Sequence, residues 1–156
     1  MENDALEMAK TAAIATLSRR AEDARILDLR ELGGFTDFFV ICSGNSNRQV
    51  EGISEKVVED IRERWDQRPW HREGQRKGDW ILLDYVDVVV HIFLHEKRKI
   101  YDLERLWSDA LEIELPEINT NLIEVNYEID EEYDELDDFE LDDFIFDDDG
   151  FGIKID

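Results

Sequence analysis

The sequence predicts an α/β fold, in which helices cover a mixed β-sheet, followed by a long acidic tail. Stretches with helical spacing of apolar residues alternate with short runs of β-branched and aromatic residues, as in α/β domains. Charge divides the chain near residue 111. Residues 1–111 hold 17 Lys and Arg against 22 Asp and Glu, whereas residues 112–156 hold 1 against 19. We therefore expect a domain over 1–111 and a disordered acidic tail over 112–156, because like charges oppose compaction.

The first half of the domain predicts one helix and two strands. Residues 2–18 place apolar side chains three and four positions apart, which indicates a helix. Residues 25–29 alternate loosely before the turn at Gly33 and Gly34, which favours a strand. Residues 37–44 form an apolar run rich in aromatic and β-branched residues, so we expect a strand buried on both faces at the centre of the sheet.

A second helix is predicted from residue 46 onward. Ser46 and Gln49 have the spacing of a capping box, and an apolar stripe runs from Val50 to Trp65. Pro69 prevents the helix from continuing. A short strand over 70–73 is compatible with the pattern.

The second half of the domain predicts a hairpin and a closing helix. Residues 80–85 and 88–94 are apolar runs joined by a very short connection, which is typical of a β-hairpin. Residues 97–107 are expected to form a helix before the domain ends near Ala110. Its inward side chains are expected to be Ile100, Leu103, Leu106 and Trp107.

Composition excludes several classes of protein. The single cysteine, Cys42, excludes an internal disulfide, and no Cys/His cluster suggests zinc. The N-terminus has no basic-then-apolar leader pattern, and no apolar run approaches the ~20 residues that span a bilayer, so we expect a cytoplasmic protein without membrane contact. The acidic charge disfavours direct binding to DNA or RNA and favours a basic protein partner.

Catalytic arrangements are weak in this sequence. Residues 43–46 precede a helix and could cradle phosphate, but a turn with a helix cap already explains them. Asp84 and Asp87 are three residues apart across a turn, a spacing that does not assemble a metal-binding carboxylate pair. His91 and His95 are four positions apart, which would place them on one face of a helix, but the surrounding apolar run predicts a strand, so metal binding is not expected. We therefore expect no catalytic residue, metal or cofactor.

Trp80 is the most informative aromatic residue, since tryptophan serves equally as a core residue and as an interface anchor. Strand alternation places Trp80, Leu82 and Asp84 on one face of the sheet and Tyr85 on the other. The nearby acids either form a solvated surface or rim an apolar patch suited to a basic protein. These acids are Asp79, Asp87, Asp102 and Glu104.

Four blocks of the sequence together resemble the ribosomal silencing factor family, also called Iojap-like. The blocks are DFFVICSGNSNRQV at 37–50, GDWILLDY at 78–85, DVVVHIF at 87–93 and YDLERLW at 101–107. The blocks occur in the order and spacing of that family. The match covers about two thirds of the chain when the N-terminal helix and first strand are counted as compatible.

The resemblance implies a nucleotidyltransferase-like α/β fold without known catalysis. It also implies binding to the large ribosomal subunit through its universal protein number fourteen, which obstructs joining of the small subunit and represses translation under nutrient limitation. The docking face would involve the hairpin with Trp80 and the last helix with Tyr101. On this basis we expect Trp80, Asp84, Tyr85, Tyr101 and Asp102 to contact the partner. A homodimer is a further expectation, since family members frequently crystallise as dimers.

Two features depart from the resemblance. Many relatives have glycine where this chain has Val86, so we expect right-handed dihedrals or a longer loop at this turn. The acidic tail has no counterpart in short relatives.

A basic cluster begins the predicted last helix. Lys97, Arg98 and Lys99 fall in its first turn, where positive charge opposes the helix dipole, which suggests that the cluster contacts ribosomal RNA or the tail.

Two other functions stay open at this point. The implied fold leaves a metal-dependent nucleotidyltransferase as the enzymatic alternative, in which Asp84 would be required for turnover with Mg²⁺. The tail leaves a binding module for a basic partner, in which residues 112–156 alone would account for binding.

Overall fold

The computed structural model describes residues 2–116 and two short segments, 144–146 and 152–154. The expected disorder of the acidic tail therefore lies almost entirely outside the described residues. The elements follow in the order α1 (Glu2–Ser18), β1 (Glu22–Asp28), β2 (Phe38–Gly44), α2 (Asn47–Trp65), β3 (His71–Glu73), β4 (Trp80–Asp84), β5 (Val88–Leu94), α3 (His95–Tyr101), α4 (Leu103–Leu106), β6 (Leu111–Ile113), β7 (Phe144–Phe146) and β8 (Gly152–Lys154).

Strands β1 to β6 form one mixed sheet in the order β3-β4-β5-β2-β1-β6. The central pair, β2 and β5, is parallel, and the other neighbours are antiparallel. Every residue of β2 is buried, as expected for a strand covered on both faces. The predictions of a mixed sheet and of a central strand over 37–44 are confirmed.

Helices α1 and α2 pack on each other and cover one face of the sheet. Four alanines of α1 are fully buried, namely Ala9, Ala12, Ala13 and Ala15, and small side chains let the helix approach its neighbours closely. The predicted stripe of α2 is also buried, from Val50 to Ile61. This layer forms the main hydrophobic core.

The start of α2 is capped much as predicted. Ser46 Oγ accepts a hydrogen bond from the Gln49 backbone N–H at 3.1 Å. The Gln49 side chain reaches back to the N–H of Asn45, at 2.7 Å, one residue before the capping-box partner. The helix ends at Asp66, whose left-handed φ of 52° closes the last turn, so Pro69 is not the residue that stops it.

The predicted helix over 97–107 is wrong as a single element. Asp102 has a φ of 50°, which ends α3 and separates it from α4. Ile100 and Leu106 were expected inside but are 70% and 73% exposed. Leu103 and Trp107 do pack inward, on a second core against the sheet face opposite α1 and α2.

The β4–β5 hairpin contradicts the expectation for Val86. Its φ is 76°, in the left-handed region that disfavours β-branched residues. Asp87 N–H donates to the Tyr85 carbonyl at 3.0 Å, which makes Val86 the centre of a γ-turn. Asp84 Oδ1 accepts from the Val86 N–H at 2.8 Å and holds this turn. The short connection, rather than the residue type, dictates the backbone here.

The last strand of the six-stranded sheet is β6, which pairs with β1 at the edge of the sheet. The expected boundary between residues 111 and 112 falls inside this strand. Strands β7 and β8 pair with each other as a separate two-stranded sheet. Among the described residues, no helix is both long and apolar enough to cross a membrane.

Candidate protein-docking site

An aromatic cluster occupies the sheet face opposite α1 and α2. It consists of Phe39 from β2, Trp80 from β4, His91 and Phe93 from β5, and Tyr101 at the end of α3. Register explains the grouping, because Trp80 pairs with Phe93 across β4 and β5 and strand alternation keeps His91 on the same side. Phe39 and Phe93 are buried, whereas Trp80 is half-buried and Tyr101 is 48% exposed.

Trp80 is held on three sides. Its ring stacks on Phe93 with a centroid distance of 4.9 Å and lies 4.5 Å from the Tyr101 ring. Its indole N–H donates to His91 Nδ1 at 3.1 Å. Such a side chain is both rigid and partly open, which suits an interface anchor because little conformational entropy is lost on binding.

His91 is a buried partner of this anchor. Only 4% of the residue is exposed, and burial lowers the pKa of the imidazole to about 3. Because Nδ1 accepts from Trp80, the proton of the neutral ring lies on Nε2. The prediction that His91 packs or makes a hydrogen bond is confirmed.

Tyr101 reaches Trp80 because α3 begins directly after β5, at His95. The helix is short, and Asp102 caps it by donating its N–H to the Arg98 carbonyl at 2.9 Å. The structure thus brings Trp80 and Tyr101 into contact, with half-buried Asp102 next in the chain. Their role in binding a partner stays a prediction.

Arg98 fixes α3 in this position. Its side chain is 7% exposed. The guanidinium donates to Ser43 Oγ at 2.8 Å, to the Asp23 carbonyl at 2.8 Å and to Glu104 at 3.1 Å. These bonds tie the helix to the adjacent ends of β1 and β2. Because α3 starts at His95, Arg98 and Lys99 lie in its last turn, where cations are favourable, so the predicted conflict with the helix dipole is wrong for these two residues and remains only for Lys97, in the first turn.

Tyr85 does not belong to this surface. It is 5% exposed and packs in the core beneath α1 and α2, as its alternation with Trp80 requires. Burial raises the pKa of its phenol, and the hydroxyl has no hydrogen-bond partner among the described residues. The expectation that Tyr85 contacts a partner is corrected, because the fold turns it away from the docking face.

The predicted acidic rim is smaller than expected. Glu104 is held by Arg98, and Asp79 accepts a hydrogen bond from the Asn47 side chain at 2.9 Å. Asp84 is half-buried and holds the Val86 turn while staying on the face of Trp80. Asp84, Asp87 and Asp102 are the acids left to rim the patch.

Sequence reasoning missed one exposed aromatic residue. Phe35 is 77% exposed, and its ring lies 6.2 Å from Phe39, so it extends the aromatic cluster beyond Phe39, whose ring also contacts Trp107. Exposed apolar groups that continue a packed cluster are typical of interaction surfaces. The available signal was an aromatic residue directly after the Gly33-Gly34 turn, where a core role is hard to satisfy.

The residues considered for catalysis are engaged inside the protein. Ser43 Oγ is bonded to Arg98, and Ser46 Oγ caps α2, so the hydroxyls of the suggested phosphate cradle have structural partners. Cys42 is fully buried, and burial raises the pKa of its thiol to about 12, which makes it a core residue rather than a nucleophile. Within the described part of the chain, no three His, Cys, Asp or Glu side chains group as metal ligands.

Comparisons with known proteins agree on one family. The family model described as ribosomal silencing factor during starvation matches residues 2–139. Ribosomal silencing factor RsfS of Bacillus subtilis is 41% identical over 101 residues, which cover 65% of this chain and 85% of that protein. The chloroplastic protein Iojap of Zea mays is 40% identical over 114 residues, covering 72% of this chain and 49% of that protein.

A solved structure gives the same result for the fold. A crystal structure of a Chromobacterium violaceum protein matches with a TM-score of 0.63 and 30% identity, covering 73% of this chain and 89% of that one. The predicted resemblance and the predicted fold class, a mixed sheet flanked by helices, are both confirmed.

Proposed function

Since the chain belongs to the ribosomal silencing factor family, we propose that it binds the large ribosomal subunit and prevents the small subunit from joining. The proposed contact on the large subunit is its universal protein number fourteen. The proposed outcome is repression of translation when nutrients are limiting, in the cytoplasm. Occupation of space, rather than bond chemistry, carries this function.

The observation that supports the proposal is the contact between Trp80 and Tyr101. Two partly exposed aromatic rings 4.5 Å apart, anchored from below by Phe93 and His91, offer a rigid apolar centre for an interface. Asp84, Asp87 and Asp102 supply a negative rim. A rim of this sign favours a positively charged partner and speeds its association, as expected for a ribosomal protein in contact with RNA.

To block the small subunit by occupying space, the chain needs only a stable interface with the large subunit. A standard interface covers about 800 Å² on each partner. The aromatic cluster, with Phe35 at one end and Tyr101 at the other, provides the centre of such a patch. The nucleotidyltransferase alternative gains no support from the structure, because Ser43, Ser46 and Asp84 have internal partners.

Co-sedimentation with purified ribosomal subunits tests the proposal. The wild-type chain is expected to pellet with large subunits and not with small ones. Trp80→Ala should weaken this binding by about tenfold or more, since loss of a central aromatic anchor costs about 2 kcal/mol. Trp80→Phe should bind better than Trp80→Ala.

Trp70→Ala is the matched control, because Trp70 is 79% exposed and lies outside the aromatic cluster. It should bind like the wild type. Full binding by a folded Trp80→Ala variant would remove this face from the site, and co-sedimentation with neither subunit would contradict the proposed function.

A further inference from the structure

Trp70 is an exposed tryptophan directly before β3, the edge strand next to β4, and it lies in a basic stretch of the sequence. Residues 62–77 contain six Arg and Lys against three Asp and Glu, in a chain whose net charge is −23. Trp70 is 79% exposed, although its backbone is fixed by an N–H bond to the Asp84 carbonyl at 2.7 Å. The proposed ribosomal contact does not use this stretch.

Strand β3 within this stretch is an open edge of the sheet. It pairs with β4 on one side and ends the strand order, so its other side presents unpaired backbone groups. Arg72 in β3 is half-buried beside Tyr85. Burial is the main cause that lowers the pKa of its guanidinium and neighbouring Arg68 lowers it further, whereas Tyr85 and Glu55 act in the opposite direction. An open edge and neighbouring cations would both be stabilised by an anionic segment laid across them.

We propose that the acidic segment 128–149 of this same chain docks on the basic edge formed by residues 68–77, with its aromatic side chains against Trp70. The segment carries 14 Asp and Glu in 22 residues with no Lys or Arg. Tyr133, Leu136 and Phe139 recur among these acids at three-residue spacing. Charge and apolar content thus both match the edge.

Chain length permits this contact within one molecule. The tail leaves the sheet at β6, at the far edge from β3. Crossing a six-stranded sheet takes about 24 Å, because neighbouring strands are about 4.8 Å apart. The 14 residues from 114 to 127 can extend to about 46 Å.

The two edge strands of the sheet differ in the charge that they present to the acidic segment. Edge strand β6 contains Glu112, which pairs with Arg25 at 3.8 Å, and is followed by Glu114, so it offers the acidic segment no excess of positive charge, whereas the β3 edge does. A tethered segment also has a millimolar effective concentration, which lets it outcompete free polyanions such as RNA. The net negative charge of the whole chain further repels RNA from solution.

A spin label on the tail of the full-length protein tests the proposal. In Asp138→Cys the new thiol takes the nitroxide selectively, because Cys42 is fully buried with a thiol pKa of about 12. At low salt, backbone amides of residues 68–77 should lose about half of their NMR signal or more, as expected for a tethered site that is mostly occupied. Amides of β6 should keep most of theirs.

Two sets of substitutions make the test specific. Arg68→Gln, Lys77→Gln and Trp70→Ala, combined, should restore the amide signals at the edge. Lys97→Gln with Lys99→Gln removes two cations elsewhere and should leave the signal loss unchanged. High salt should also restore the signals, because exposed charges are screened.

Other occupants of the edge give different results. Signal loss that grows with protein concentration would show a second copy of the chain on the edge and would overturn the proposal. Edge amides that keep their signals beside the labelled tail, but change chemical shift when single-stranded RNA is added, would show an RNA site. That result would also overturn the proposal. Neither result depends on ribosome binding, so the proposed function can fail or hold independently.

Discussion

The indole N–H of Trp80 donates to Nδ1 of His91 at 3.1 Å, which links the docking face to the buried centre of the sheet. His91 lies on β5, one of the two central strands, and Trp80 on its neighbour β4. The bond requires an unprotonated Nδ1, and burial lowers the pKa of this ring well below neutral pH. The orientation of the Trp80 ring is therefore fixed by the core of this chain.

The His91 pKa predicts a dependence of stability on pH. The unfolded imidazole titrates near 6.5 and the folded one near 3, so between these values only the unfolded chain binds the proton. The contribution of His91 to the free energy of unfolding is complete above pH 6.5. It decreases by about 1.4 kcal/mol per pH unit as the pH falls from 6.5 toward 3. In His91→Gln, urea unfolding between pH 6.5 and 5 should lose this slope. An unchanged slope would show that His91 titrates normally.

Val86 predicts that a glycine stabilises the hairpin. A left-handed φ of 76° costs a branched residue about 1–2 kcal/mol, more than glycine adds to the entropy of the unfolded chain. Val86→Gly should raise the free energy of unfolding by about 1 kcal/mol. Val86→Ala keeps a Cβ in the strained position and should show no such gain. A loss of stability in Val86→Gly would mean that the turn carries little strain.

The buried hydrogen bonds of Arg98 predict a large loss of stability when this residue is replaced. Its removal leaves Glu104 and Ser43 without their buried partner, so Arg98→Gln should lower the free energy of unfolding by about 3 kcal/mol. Lys99→Gln, one residue away and exposed, should change it by less than about 0.5 kcal/mol. Chemical denaturation of both variants measures the difference. Similar values for the two would contradict the bonding role of Arg98.

The burial of Tyr85, which was expected from the resemblance to bind a partner, predicts that removing its hydroxyl leaves both binding and stability intact. Its buried hydroxyl has no partner among the described residues, so Tyr85→Phe should keep or raise stability, by up to about 1 kcal/mol. Binding to large subunits should equal that of the wild type. Reduced binding by the folded variant would return Tyr85 to the docking surface.

The sequence predicted best where one pattern determined the structure. The buried run at 37–44 has a single reading as a central strand, and the stripe of α2 repeats over four turns. Strand alternation from Trp80 also separated the two faces, and it placed Tyr85 on the face away from Trp80. The family resemblance pointed to the two aromatic residues that the structure brings into contact.

Long-range contacts explain what the sequence did not predict. The break at Asp102 depends on Arg98, which is bonded to residues more than 50 positions away, and no local signal shows this. Once the helix breaks, the apolar stripe that pointed Ile100 and Leu106 inward no longer holds. Val86 was misjudged because the short connection folds as a γ-turn centred on this residue, and the turn geometry overrides the residue preference.

Subunit association monitored by light scattering tests the central claim most directly. Purified large subunits are saturated with the wild-type chain or with Trp80→Ala, and small subunits are then added. We expect the wild type to suppress the scattering increase of joined ribosomes and Trp80→Ala to leave it nearly complete at the same concentration. Normal joining while the wild-type chain stays bound to the large subunit would contradict the account.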